Sequence, residues 1–204
     1  MENLKNDIIN TAAALFKKYG LRSVSIDDVC KELSISKKTF YNYFRQKEDL
    51  IVEILHKKRE DHKNKTQKPW IYESQNIIDI LMEFDKTIKN NAEENRKHLS
   101  MIFDLEKYYP KIFKQHEEAM KAHNLELVKN LINKGIEESV FREDMDRELT
   151  AMFLANQFHT MMALITQDKK INHGKMFGFI SDVVIRILAN EKGMNYYLKN
   201  YHNR

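Results

Sequence analysis

The chain has 204 residues, of which 42% are hydrophobic and 31% charged, a balance that supports a packed core and excludes a disordered polymer. Five glycines and two prolines are too few for the frequent turns of a sandwich or barrel, and a single cysteine excludes an intrachain disulfide framework. The net charge of +4 permits a nucleic-acid partner without requiring one.

An all-α protein is therefore expected. The first helix is predicted from about Leu4 to Tyr19, where Leu4, Ile8, Ala12, Leu15, Phe16 and Tyr19 form one apolar stripe, and Gly20 stands where a left-handed C-cap favours glycine. Ser25 opens a second helix, with Asp28 spaced for a capping box and Ile26, Val29, Cys30 and Leu33 facing inward. Cys30 on that face reads as a small buried hydrophobe, not a reactive thiol. Ser34-Ile35-Ser36 makes a tight turn, with Ile35 plugging the core and Ser36 capping a third helix. In that helix Phe40 and Phe44 are four apart and point inward together, leaving Lys37, Lys38, Thr39, Tyr41, Asn42 and Tyr43 around the outer surface.

A fourth helix starts near Lys47 and packs through Leu50, Ile51, Ile54 and Leu55. Its later part, Lys57 to Lys68, is almost wholly polar and reads as a bridge through solvent that Pro69 ends. Further helices are marked by Ile77, Leu81, Phe84 and Ile88, and by Leu99, Ile102 and Phe103 up to Tyr108-Tyr109. Pro110 suits the first turn of the next, which continues to about Gly135. Asp144 or Asp146 caps another through Leu149, Phe153, Phe158, Met161 and Ile165. The last long helix covers about Lys175 to Asn190, with Gly193 as a stop and a short helix closing the chain. The expected organisation is a small helical domain over 1–46, a connecting helix over 47–68, and a helical body over 69–204.

A short amphipathic helix, a tight turn and a helix with basic and aromatic residues and no acid is how a helix-turn-helix sets a recognition helix in the major groove. Lys37, Lys38 and Asn42 are placed to reach base edges or the phosphates beside them, since lysine favours guanine O6 and N7 and asparagine pairs with adenine. Thr39, Tyr41, Tyr43 and Lys47 read as clamps on the DNA backbone. Ser25 and Ser36, at the two helix starts, complete the DNA-facing set. The competing reading is a solvated basic face, against which stand two outward tyrosines beside four cations.

At residues 8 to 51 the sequence resembles the TetR family of bacterial regulators. IINTAAALFKKYG is similar to that family's first helix and glycine stop. Its signature is matched by Thr39, Phe40, Tyr41, Phe44, Lys47, Glu48 and Leu50. The resemblance implies three DNA-binding helices, a linking fourth helix and a larger helical domain for ligand binding and dimerisation. It also implies a homodimer on a palindromic double-stranded DNA operator, acting as a repressor released by a small-molecule effector. An activator or a partner-controlled binder of the same family is the alternative, and a helical enzyme or lipid-binding module is the reading from another class. The chain departs from the family's pattern at Ser34, where glycine is common, at Gln46, where Asn or Asp is common, and at the acidic pair Asp27-Asp28.

The body is rich in aromatics and methionine, which suits an apolar pocket as well as an ordinary bundle core. Met101, Tyr108, Phe158 and Met162 are the expected effector-lining residues, for an apolar or amphipathic effector. Met152, Phe153, Leu164, Phe179, Val183, Ile187, Ala155 and Ala163, on the last two long helices, suit a four-helix dimer interface. No HExxH, GxSxG or phosphate-cradling glycine loop is present in the sequence. His116 and His123 are seven apart with no completing ligand cluster, and read as solvated surface histidines. No catalysis, metal or cofactor is expected. No apolar run reaches the roughly 18–20 residues of a membrane span, and the N-terminus has no secretory pattern, so a cytoplasmic protein is expected.

Overall fold

The computed structural model describes residues 2–66, 76–90, 92–167 and 173–201. Its helices are α1 (Glu2–Tyr19), α2 (Ile26–Glu32), α3 (Lys37–Tyr41), α4 (Lys47–Thr66), α5 (Ile77–Asn90), α6 (Ala92–Tyr108), α7 (Pro110–Glu137), α8 (Arg147–Gln167), α9 (His173–Leu188) and α10 (Glu191–Tyr201). No strand occurs among the described residues; a lone antiparallel bridge pairs Phe141 with Ala189. The all-α reading holds. The chain divides into two compact units that do not follow chain order: residues 1–65 with 93–118, and 66–92 with 119–204.

The first unit is built on the apolar stripes read from the sequence. Ile8, Ala12 and Phe16 of α1, Val29 and Cys30 of α2, Phe40 and Phe44, and Leu50, Ile51, Ile54 and Leu55 of α4 are all buried in one cluster. Met101 and Leu105, one turn apart on α6, join it. They line a small cavity with Phe16, Leu21, Ile51, Ile54 and Leu55. This is why residues 93–118 group with the N-terminal helices and not with the body. Helix α6 also begins earlier than its apolar positions indicate, because 93–98 are polar and carry no periodic signal.

The polar part of α4 does not simply face water. Lys57 donates to Asn6 and Asn10 of α1, and Arg59 lies 3.2 Å from His116 Nδ1 on α7. His116 is half-buried, contrary to the solvated reading. Burial first, then the charges of Arg59 and Lys58, push it down to about 4, so it is neutral at ordinary pH and accepts from the guanidinium. Pro69 lies outside the described residues.

In the second unit α5 packs on α9, and Ile77, Ile78, Ile132, Phe141, Ala151, Leu154, Ile185 and Leu188 form the core. Helix α10 is tied in by tyrosines. Tyr196 and Tyr201 both donate to the Asp79 carboxylate of α5, and Tyr197 donates to Asp182 of α9. The bond to Asp79 pushes the Tyr196 hydroxyl up to about 12. Asp146 is the cap of α8, accepting from the Leu149 N–H at 2.9 Å, while Asp144 pairs with Arg142.

Gly193 is not a stop. It sits buried in the first turn of α10, where its N–H donates to the Asn190 side chain that caps the helix. A glycine is needed there because a Cβ would stand 2.1 Å from the Val140 carbonyl oxygen. Close approach, not left-handed backbone, is the reason for this residue, and the two are indistinguishable in the sequence.

Candidate nucleic-acid interface

The interface is assembled by caps and one unusual turn. Ser25 Oγ accepts from the Asp28 N–H at 3.2 Å and donates to Asp28 Oδ2 at 2.7 Å, while the Ser25 N–H donates to the same carboxylate at 2.8 Å. The full capping box fixes the start of α2. These bonds favour the ionised form and lower the Asp28 acidity range, the Ser25 hydroxyl contributing most.

Helix α2 ends in a Schellman motif. The Ile35 N–H donates to Cys30 O at 2.9 Å and the Ser34 N–H to Lys31 O at 3.1 Å. The motif requires a left-handed residue, and Ser34 takes it with φ +53. The serine at this family-glycine position therefore adopts the backbone that the turn needs. Ser36 then caps α3: its Oγ accepts from the Thr39 N–H at 3.0 Å and lies 2.9 Å from Thr39 Oγ1.

Helix α3 is short. Regular helix ends at Tyr41, yet the Phe44 N–H still bonds Phe40 O at 3.2 Å, so the helical turn carries on far enough to bury both phenylalanines. Their rings meet at 5.7 Å. Burying a phenylalanine contributes roughly 1.5–3 kcal/mol, so this pair fixes which face of α3 is left outside. On that face Lys37, Lys38, Tyr41 and Asn42 are exposed and Thr39 is half-buried. Tyr41 stands edge-on to Phe40, half in solvent. Tyr43 differs from Tyr41: it leans on the core cluster and presents less of its ring.

Two acids that break the family's pattern have local work. Asp28 belongs to the capping box, and Asp27 forms an ion pair with Lys37 at 2.8 Å. The missing Asn or Asp before α4 is compensated by Asp49, which accepts from the Arg45 N–H and the Gln46 side-chain amide, both at 3.2 Å.

Lys47 is placed differently from the other lysines. Its ammonium donates to the carbonyls of Leu21 and Val24 and lies 5.3 Å from the centre of the Phe16 ring. Burial lowers its pKa, against nearby acids that raise it. Two of its three N–H bonds thus hold the segment between α1 and α2. Two contacts of that segment were not read from the sequence. The Leu21 N–H donates to Asp104 Oδ2 at 2.9 Å, and the Arg22 guanidinium lies 5.3 Å from the Tyr108 ring centre. No periodicity marks a carboxylate that accepts from an amide so far away in the chain.

Of the expected effector-lining residues, Met101 is buried in the core of the first unit and Tyr108 lies beside Arg22 in the same unit. The side chains of Phe158 and Met162 lie outside the described residues. Of the expected dimer-interface residues, Met152, Phe153 and Phe179 are exposed, as is Leu149, whereas Ala155 is buried. Leu164 and Ala163 lie outside the described side chains. Among the described residues no group of histidine, cysteine and carboxylates has the makings of a metal site, and no helix is long and apolar enough to cross a membrane.

Residues 8–54 match the family described as bacterial regulatory proteins, tetR family. The HTH-type transcriptional regulator YuxN of Bacillus subtilis is 42% identical over 55 residues, a match spanning 27% of this chain and 19% of that protein. The transcriptional repressor KstR2 of Mycobacterium tuberculosis is 21% identical over 169 residues, 74% of this chain and 75% of that one. In fold the chain is similar to a transcriptional regulator from Saccharomonospora viridis solved with choline, with a TM-score of 0.74 at 18% identity, covering 94% of this chain and all of the other. A helix-turn-helix in an all-helical chain, with the family match lying over that motif, leads to one conclusion: residues 8–54 form a DNA-binding domain of the kind found in the tetR family.

Proposed function

We propose that the protein is a cytoplasmic homodimeric repressor of a palindromic operator, released by a small apolar or amphipathic effector. The observation that carries the DNA half is the outer face of α3, where Lys37, Lys38, Tyr41 and Asn42 are exposed while Phe40 and Phe44 anchor the opposite face. Lys37, Lys38 and Asn42 read bases or adjoining phosphates; Thr39, Tyr41 and Tyr43 clamp the backbone, with Ser25 and Ser36 at the helix starts. Lys47 contributes its remaining N–H to that set while holding the preceding loop.

Dimerisation is supported by Leu149, Met152 and Phe153 on α8 and Phe179 on α9, all more than half exposed. Large apolar side chains gathered on two helices and left in water mark an interaction surface. Two-fold symmetry then sets the two α3 helices on half-sites about one DNA turn apart, roughly 34–36 Å. Repression follows the similarity to KstR2, and a small-molecule effector the S. viridis structure with choline. Release requires an effector that binds better to the dimer state whose α3 spacing misfits the operator; by linkage, operator weakens effector binding equally.

Selection of bound duplexes from a randomised DNA pool at near-physiological salt tests the reading. An enriched palindrome with two half-sites is the expected result. Salt-sensitive binding without any enriched sequence would reduce α3 to a non-specific basic patch.

A further inference from the structure

Asp27 stands in the first turn of α2 and Lys37 opens α3. The Schellman turn at Ser34 folds the chain back so that Lys37 Nζ comes within 2.8 Å of Asp27 Oδ1. Their side chains are 60% and 62% exposed, so neither is driven there by core packing. Lys38 and Arg45 form no such ion pair among the described residues. The pair therefore singles out one cation of the outer surface of α3. A carboxylate offers Lys37 what a DNA phosphate offers: a delocalised anion with oxygen acceptors.

Resting on the reading of α3 as the recognition helix, we propose that Asp27 is an affinity-determining residue that competes with DNA for Lys37. To engage a phosphate or a guanine edge, Lys37 leaves Asp27. The bare carboxylate is then left beside a polyanion and recruits a cation from solution. That uptake offsets the counterion that Lys37 displaces from the DNA, so the pair contributes little to net ion release. Asp27 thus holds operator affinity below what the cations of α3 would give on their own, and keeps the complex within reach of a releasing signal.

The test measures binding of the full-length protein to its selected operator duplex across a salt series, for the wild type, Asp27→Asn, Lys37→Gln and the double variant. Asp27→Asn is expected to tighten binding by about twofold to fivefold per protomer at moderate salt. It should also steepen the log–log salt slope by about one unit per protomer. In the Lys37→Gln background the same change should leave the slope nearly unaltered, and Asp27→Glu, which keeps the carboxylate, should behave as wild type. Asp27→Ser serves as a second neutral variant, with thermal melting showing that each variant is folded. Wild-type slope and affinity in Asp27→Asn would overturn the proposal. So would equal steepening with and without Lys37, which would mark a general charge effect. A wild type that selects an operator but shows neither coupling sinks this inference alone; a wild type that binds no duplex sinks the reading of α3 with it.

Discussion

Two helices of this chain end in the same way and for opposite purposes. Helix α2 closes with Ser34 at φ +53 and helix α7 with Ser139 at φ +57. In both, the residue after the serine bonds back five positions, Ile35 to Cys30 O and Val140 to Gly135 O, each at 2.9 Å. Beyond Ser34 the chain turns outward: Ile35 is half-buried, and Ser36, Lys37 and Lys38 are exposed. Beyond Ser139 it turns inward, and Val140 and Phe141 are buried. Asn190 pins that second turn by donating to Ser139 O and Phe141 O, both at 3.1 Å. One backbone device displays a helix in the first unit and anchors the chain in the second. What surrounds the turn, not the turn itself, decides how much a mutation there should matter.

The largest effect should come where the anchored turn is tightest. A Cβ on Gly193 would meet the Val140 carbonyl oxygen at 2.1 Å, and this neighbour is backbone that cannot rotate away. Gly193→Ala is expected to destabilise the protein by about 3 kcal/mol or more in denaturant unfolding. Gly135 is tight as well, with the Phe141 ring at 2.0 Å, but a ring can shift, so Gly135→Ala should be milder. Wild-type stability for Gly193→Ala would break the picture of an anchored second turn.

The displayed turn has its anchor elsewhere, in Lys47. Replacing it by methionine keeps an apolar stem against Phe16 but removes both bonds to the Leu21 and Val24 carbonyls. Lys47→Met is expected to lower stability by about 2 kcal/mol, the scale of hydrogen bonds from a charged group. A loss of DNA affinity at unchanged stability would instead assign Lys47 wholly to the DNA backbone.

A third effect depends on pH. His116 is held at about 4 in the folded chain, against 6.5 as its ordinary value. Between those two pH values the unfolded chain takes up a proton that the folded chain refuses, so stability falls as pH drops from about 6.5 toward 4. His116→Asn keeps an acceptor for Arg59 but cannot be protonated. Melting temperature followed from pH 7 to pH 4 should decline less steeply in that variant than in the wild type.

The first unit was far more legible than the second, and the reason lies in the distance over which each signal acts. The caps at Ser25 and Ser36, the inward pair Phe40 and Phe44 and the left-handed Gly20 are set by residues within five positions, so spacing alone reveals them. Gly193 failed because its constraint comes from Val140, on the far side of α8 and α9 in the chain. That Met101 joins the core of the first unit was not legible, because methionine composition says nothing about which core a side chain joins. His116 carried no signal either: its partner Arg59 sits on α4, inside a polar run that the hydrophobic period leaves blank. On the candidate interface, the exposure of the outer residues of α3 was legible, whereas the inward turn of Lys47 depends on two carbonyls more than twenty residues earlier.

The smallest expected effect tests whether the two serine turns are equivalent. A left-handed residue with a Cβ costs roughly 1–2 kcal/mol, and glycine removes that strain while adding about 0.5–1 kcal/mol of unfolded-state entropy to be lost. Neither serine hydroxyl has a hydrogen bond among the described residues, so its removal sacrifices no contact. Ser34→Gly and Ser139→Gly are each expected to raise stability by about 0.5 kcal/mol, read as a small increase in melting temperature. Equal gains would show that strain is a property of the shared backbone motif. A gain at Ser34 with none at Ser139 would mean that Asn190, Gly135 and Gly193 already hold the second turn so firmly that local strain no longer governs its stability.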